Sequence, residues 1–211
     1  MLGLFSPRWT RSEILFSAGL VALVLLLGAG GDTARDWLRF DRELIAAGEW
    51  WRSITGNFVH MNANHLWLDV LGLVLLLLFF RDVFSPLDWL LALFIGSTAV
   101  GAGLLVLDPG LMRYVGISGV LHTLLFAGLL LSFRHSPWIN GIVFVAMAAR
   151  IWTEQQPGYD VNYLRETIGG SVMVNAHFYG ALAALPVTAL LWQRSQARQQ
   201  RFRAHDAAAG G

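Results

Sequence analysis

The sequence predicts an all-α membrane protein: a bundle of six transmembrane helices with a long interfacial first loop. Three observations predict it. Of 211 residues, 55% are hydrophobic and 14% charged, where a soluble domain carries about 25% charged residues; mean hydropathy is +0.54. The charges avoid long stretches: 14–31, 89–107, 114–133, 135–149 and 167–193 contain none, and 53–80 contains only Asp69. Nine Trp and 13 Phe suit the aromatic belts of a bilayer interface.

A helix needs about 20 apolar residues to cross the hydrocarbon, which puts spans near 14–30, 60–80, 87–107, 117–133, 137–152 and 175–192. The first is not read as a cleaved signal peptide, because no A-x-A-like site follows it. The segment 31–57 mixes Trp37, Phe40, Leu44, Trp50 and Trp51 with charges, the pattern of an interfacial segment. Short turns occupy 81–86 and 134–136. The polar segment 153–174, with Pro157, Gly158, Gly169 and Gly170, reads as an ordered loop or cover. Residues 1–192 form the membrane domain; 193–211, rich in Arg, Gln and Ala, read as a frayed, flexible cytoplasmic helix. There is no internal repeat.

An even number of spans puts both termini on one side, together with Arg8, Arg11, Arg81, Arg134, Arg194, Arg198, Arg201 and Arg203. The other side mixes its Arg with acids in long loops, which weigh less in orientation, so the tail side is cytoplasmic. Both elaborate loops then face outward, and function opens there. All 15 basic residues are Arg, against 14 acidic ones, a net +1. A nucleic-acid partner would require a basic face, and the lipid bilayer is the partner this composition fits. With no Cys, thiol catalysis, disulfides and Cys-based metal sites are excluded.

Ionisable groups inside a membrane need partners or a cavity. His60, His65, Asp69, His122 and His177 all fall near the outer ends of the second, fourth and sixth spans. Each His alone also reads as a helix-to-helix hydrogen bond; together they point to a site. Ser118 opens the fourth span, where free backbone N–H groups and the helix dipole favour an oxyanion, and Gly116 and Gly119 beside it allow close approach. A serine hydroxyl needs a base. In the sixth span Ala176, Gly180 and Ala184 recur every fourth residue, a small-residue stripe that packs helices. Set against Gly116 and Gly119, it would carry His177 to about 2.6–3.2 Å from Ser118. His65 and Asp69 share one face, as do Ser118 and His122. His60 and His65, five apart, stand about 140° apart and form no helical dihistidine metal pair. With His60, the residues Asn62, Asn64 and Asn175 either line a water route or cap helix ends.

Three motifs within 49–185 resemble the rhomboid family of intramembrane serine proteases. They are Glu49-Trp50-Trp51-Arg52 followed by His60 and His65-x-x-x-Asp69; Gly116-Ile117-Ser118-Gly119; and Ala176-His177-x-x-Gly180. Finer features resemble the rhombosortase branch: His122 after the nucleophile motif, Trp152-x-Glu154-Gln155, and Ile168-Gly169-Gly170 leading to Asn175-Ala176-His177-x-Tyr179-Gly180. The resemblance implies a bacterial inner-membrane protease, without cofactor or metal, that opens to the periplasm. It would cut exported proteins within a C-terminal tail made of a Gly-Gly-containing motif, a hydrophobic helix and basic residues.

The resemblance also implies roles. Ser118 is the nucleophile and His177 the general base. His65 helps bind the oxyanion with the Ser118 N–H, and His122 takes the place of a Tyr that packs against the catalytic imidazole. Trp51 and Arg52 set the first loop, while His60, Asn175, Tyr179 and Gly180 border the substrate. Asp69 departs from the family's Asn, since an ionised carboxylate only accepts hydrogen bonds. Either burial keeps it protonated, or it accepts from His65 and orients that ring, the reading favoured here. With no acidic third member evident, the expected machinery is a Ser–His dyad. Two other classes remain open: a metal-dependent protein using the same His and Asp residues, and a transporter or binding protein using them as a proton relay.

Overall fold

The computed structural model describes residues 10–209, apart from the side chains of 199 and 201–209. Arg8, Gly210, Gly211 and the side chains of Arg201 and Arg203 lie outside the described residues, so part of the charge pattern used for orientation does too.

Helix α1 (Arg11–Ala29) begins at a capping box: Thr10 Oγ1 accepts from Glu13 N–H, and Glu13 Oε2 accepts from Thr10 N–H. Such reciprocal bonds satisfy two of the free donors at a helix start. Only Leu20 and Val24 of α1 are buried, so most of its apolar surface faces outward.

The first loop is a folded piece rather than a plain connection. It runs through α2 (Gly31–Leu38), β1 (Phe40–Asp41), α3 (Arg42–Ala46), α4 (Arg52–Thr55) and a 3-10 turn, Gly56–Phe58. Strand β1 pairs antiparallel with β2 (Arg113–Tyr114), Phe40 opposite Tyr114 and Asp41 opposite Arg113. Buried Arg52 bonds Glu49 Oε2 at 2.6 Å and the Asp36 carbonyl at 2.7 Å, stitching both ends of the loop together. Gly101 lies against the Ser53 carbonyl, so closely that any Cβ there would collide with it.

Helix α5 (Ala63–Phe79) starts after Asn62, whose side chain accepts from His65 N–H. The second expected span therefore begins three residues late, with 60–62 outside the helix. The pair Arg52–Phe58 and Ala63–Phe79 is bent by 89°. Helix α6 (Pro86–Leu107) opens with a Ser85–Asp88 capping box and Pro86 in its first turn. At its other end the Arg42 guanidinium donates to the carbonyls of Leu104, Leu105, Asp108 and Leu111. It thereby takes up the acceptors that a helix leaves unpaired at its C-terminus.

Helices α7 (Ser118–Leu131), α8 (Pro137–Glu154), the short α9 (Arg165–Ile168) and α10 (Val174–Ala209) complete the chain. Helix α7 is the centre, with Val120, Thr123, Leu124 and Ala127 fully buried. Helix α10 packs on it through glycines: a Cβ on Gly180 would overlap the Gly119 carbonyl, and Thr123 Oγ1 donates to Gly180 O at 2.8 Å. Helix α8 is peripheral like α1, burying only Asn140, Ile151 and Glu154.

Among the described residues, six helices of 14 or more residues thus occupy the expected stretches, but length and composition qualify fewer as spans. Three are long and apolar enough to cross a membrane (Arg11–Ala29, Pro86–Leu107 and Val174–Arg198), or four if the bent pair counts as one. Helix α7 has 14 residues, which extend about 21 Å. More than half of its residues are buried by its neighbours. The tail continues α10 as helix to Ala209, and Arg194 and Arg198 bind the buried Asp88 carboxylate at 3.0 and 2.7 Å. Outside the core, the large apolar residues Phe79, Leu107, Val106, Trp138 and Ile142 stand exposed, as expected of helices that meet lipid.

Candidate active site

The approach to α7 is held at several points. Gly116 has φ +118°, a left-handed conformation that favours glycine, and a Cβ there would lie 2.8 Å from His65 Nε2. Its N–H donates to Gly56 O at 3.2 Å, and its carbonyl accepts from the Tyr114 hydroxyl at 2.6 Å. Burial, and then the Asp69 carboxylate, push the Tyr114 hydroxyl well above its ordinary range, so it stays a donor. Next in sequence, Ile117 N–H donates to Asp69 Oδ2 at 3.1 Å. These contacts deliver Ser118 to the first turn of α7.

Helix α10 meets it there. His177 Nε2 lies 3.1 Å from Ser118 Oγ. His177 is buried, and its ring stacks on His122, centroids 4.4 Å apart and planes 23° from parallel. His122 Nδ1 is 2.8 Å from the Ser118 carbonyl; a carbonyl only accepts, so Nδ1 carries the proton. The close packing of Gly180 on Gly119 lets the helices touch immediately beside this pair.

On the far side of His177, Nδ1 lies 2.8 Å from Glu154 Oε2. Glu154 Oε1 accepts from Arg150 Nε at 3.0 Å, and Arg150 Nη2 donates to the Tyr163 hydroxyl at 2.7 Å. The expectation that no acidic group accompanies the pair is corrected here: a carboxylate from the end of α8 sits on the imidazole. The signal was present as Arg150 and Glu154 four apart on one face of an otherwise apolar helix, a spacing that makes them neighbours. It gave no sign that the face turns toward α10.

Asp69 is an acceptor, but for more than His65. Its Oδ2 takes His60 Nε2 at 3.1 Å and Ile117 N–H, with His65 Nε2 further off at 3.4 Å. The carboxylate thus ties the loop before Ser118 to α5. His60 and His65 pack edge to face, centroids 5.2 Å apart. Among the described residues no group of three His, Asp or Glu side chains is arranged to hold a metal ion.

Other expected border residues do structural work. Asn175 Nδ2 and the Tyr179 hydroxyl donate to the two oxygens of Asp108, at 2.5 and 2.8 Å, locking the start of α10 to the end of α6. Gly180 touches Gly119, not open space. Arg52 is internal to the first loop, and Trp51 is 37% exposed beside it. Of the polar band, Asn62 is a cap that also donates to Thr167 O at 3.0 Å, and Asn64 faces outward. The cover from 155 to 173 is ordered by its own bonds, Val172 N–H to Val161 O and Ser171 Oγ to Asn162 Oδ1. Sequence reading missed Arg42, Asp108 and Tyr114, whose importance lies in partners 60 or more residues away or in a local turn.

A family model described as the rhomboid domain matches residues 47–194. No curated protein matches the chain. The match covers well over half of the sequence, including Ser118, His177 and Glu154: the chain belongs to the rhomboid family, whose members are intramembrane serine proteases, and it is a multi-pass membrane protein.

Proposed function

We propose that this rhomboid is a serine endopeptidase in which Ser118 is the nucleophile and His177 the general base. The observation that carries the reading is the 3.1 Å approach of His177 Nε2 to Ser118 Oγ by a ring whose other nitrogen faces a carboxylate. An ionised carboxylate only accepts, so Nδ1 holds the proton and Nε2 offers its lone pair to the hydroxyl. Ser118 Oγ attacks the scissile carbonyl as Nε2 takes its proton. The oxyanion is held by the Ser118 backbone N–H at the start of α7, near His65, in a site drier than water where each donor is worth on the order of 10²–10³ in rate. His177 then returns the proton to the leaving amine. Water, activated by the same nitrogen, releases the acyl group and regenerates the hydroxyl.

In this reading the six long helices are six spans of a bacterial inner-membrane protein, with both termini cytoplasmic and the site opening to the periplasm. The features shared with rhombosortases support a substrate class: C-terminal tails of exported proteins, with a Gly-Gly-containing motif, a hydrophobic helix and basic residues. Glycines at the cleaved bond suit a nucleophile flanked by Gly116 and Gly119.

The test is co-expression with a tailed exported protein, comparing the intact enzyme with Ser118→Ala and His177→Ala. Both substitutions are expected to abolish tail removal, and a serine-reactive probe is expected to label the parent but not Ser118→Ala. Processing retained in either variant refutes the assignment. Loss of processing on chelation would favour a metal-dependent reaction instead.

A further inference from the structure

We infer that Glu154 is a positioning residue for the base, completing a Ser118–His177–Glu154 triad in which Arg150 decides what a side chain at 154 can do. The inference rests on the assignment of Ser118 and His177 above and deepens it. Three observations carry it. The Glu154 side chain is fully buried, and a buried carboxylate left unpaired is strongly unfavourable. Its two oxygens are divided between two donors: Oε2 at 2.8 Å from His177 Nδ1 and Oε1 at 3.0 Å from Arg150 Nε. Arg150 is itself held by the Tyr163 hydroxyl from the cover, so its Nε–H stays aimed at Oε1.

Geometry makes the carboxylate hard to replace. Arg150 Nε–H requires an acceptor. A Gln at this site would turn its carbonyl oxygen toward Arg150 and so present its NH₂ to His177 Nδ1. That nitrogen would then have to accept, moving the ring proton to Nε2 and leaving no lone pair for Ser118. A purely structural Arg150–Glu154 pair makes no such prediction, because Gln keeps the bond to Arg150.

The experiment measures tail cleavage by purified full-length protein in lipid nanodiscs. Glu154→Gln is expected to lower kcat by up to about 10⁴, the loss seen when a triad carboxylate becomes an amide and the tautomer is wrong, with KM little changed. Glu154→Asp is expected to recover part of the loss. Adding Arg150→Met to Glu154→Gln removes the donor that dictates the amide's orientation, lets the carbonyl turn to Nδ1–H, and is expected to raise kcat at least about tenfold over Glu154→Gln alone. A Glu154→Gln enzyme within about fivefold of the parent overturns the inference, as does a loss that neither Glu154→Asp nor Arg150→Met relieves. Should Glu154→Gln fail to fold, the parent protein decides: imidazole ¹⁵N shifts are expected to place the neutral His177 proton on Nδ1, and a proton on Nε2 overturns the triad. Ser118→Ala separates the two levels. If it still cleaves, the protease assignment fails; if it is inactive while Glu154→Gln is not, only the triad fails.

Discussion

Gly119→Ala tests whether the contact between α7 and α10 sets the reacting distance. A Cβ on Gly119 would stand 2.7 Å from the Ala176 carbonyl oxygen and 3.2 Å from the Ala176 Cβ. Neither atom can swing aside, so the helices must part. Moving from 2.7 Å to an ordinary contact of 3.4 Å separates them by about 0.7 Å, a typical response to overpacking. Ser118 and His177 adjoin this contact in sequence, so their 3.1 Å approach lengthens to about 3.8 Å, beyond a hydrogen bond. A misplacement of this size is expected to lower kcat by about tenfold to a hundredfold. The same overpacking is expected to lower stability by about 1–3 kcal/mol. The assay is tail cleavage in nanodiscs with initial rates over a range of substrate, beside a thermal melt. A variant that melts early yet keeps kcat within about twofold of the parent would refute the idea that packing and catalysis are one contact.

Other substitutions probe the supports of the site. Asp69→Ala leaves Ile117 N–H and His60 Nε2 without their shared acceptor and is expected to lose about 1–3 kcal/mol; Asp69→Asn keeps an oxygen for Ile117 and should melt closer to the parent. Arg42→Met strips the carbonyls at the end of α6 of four donors, so a clear fall in melting temperature is expected, with an unchanged melt as the contrary result. His122→Phe keeps an aromatic ring against His177 but loses the bond to Ser118 O; kcat should fall by less than about tenfold, and His122→Ala by more, because it also loses the stack. Asp88→Asn, far from the reacting atoms, is expected to weaken the hold of Arg194 and Arg198 and lower the melt without changing KM.

Residues whose meaning depends on near neighbours were legible in the sequence. Charge-free stretches locate the helices, because an apolar run long enough for lipid has few other uses. The stripe of Ala176 and Gly180 marks where α10 accepts another helix, and with Gly119 it is enough to expect Ser118 beside His177. What fails is anything that turns on which way a face points. Arg150 and Glu154 share a face of α8 by spacing alone, yet only the packing of α8 beside α10 aims that carboxylate at Nδ1. Asn175 and Tyr179 look like site residues in sequence, and distant Asp108 claims them both.

The sequence by itself determined a helical membrane chain with a serine and an imidazole on neighbouring helices, since composition and short periodic patterns are local properties. Tertiary structure alone decided the company they keep: Glu154 behind His177, Asp69 shared by His60 and the loop before Ser118, Arg42 over the end of α6. The physical reason is that a buried polar group must find a partner wherever the fold brings one, and helix rotation and loop closure, which select that partner, are set by the packing of the whole bundle.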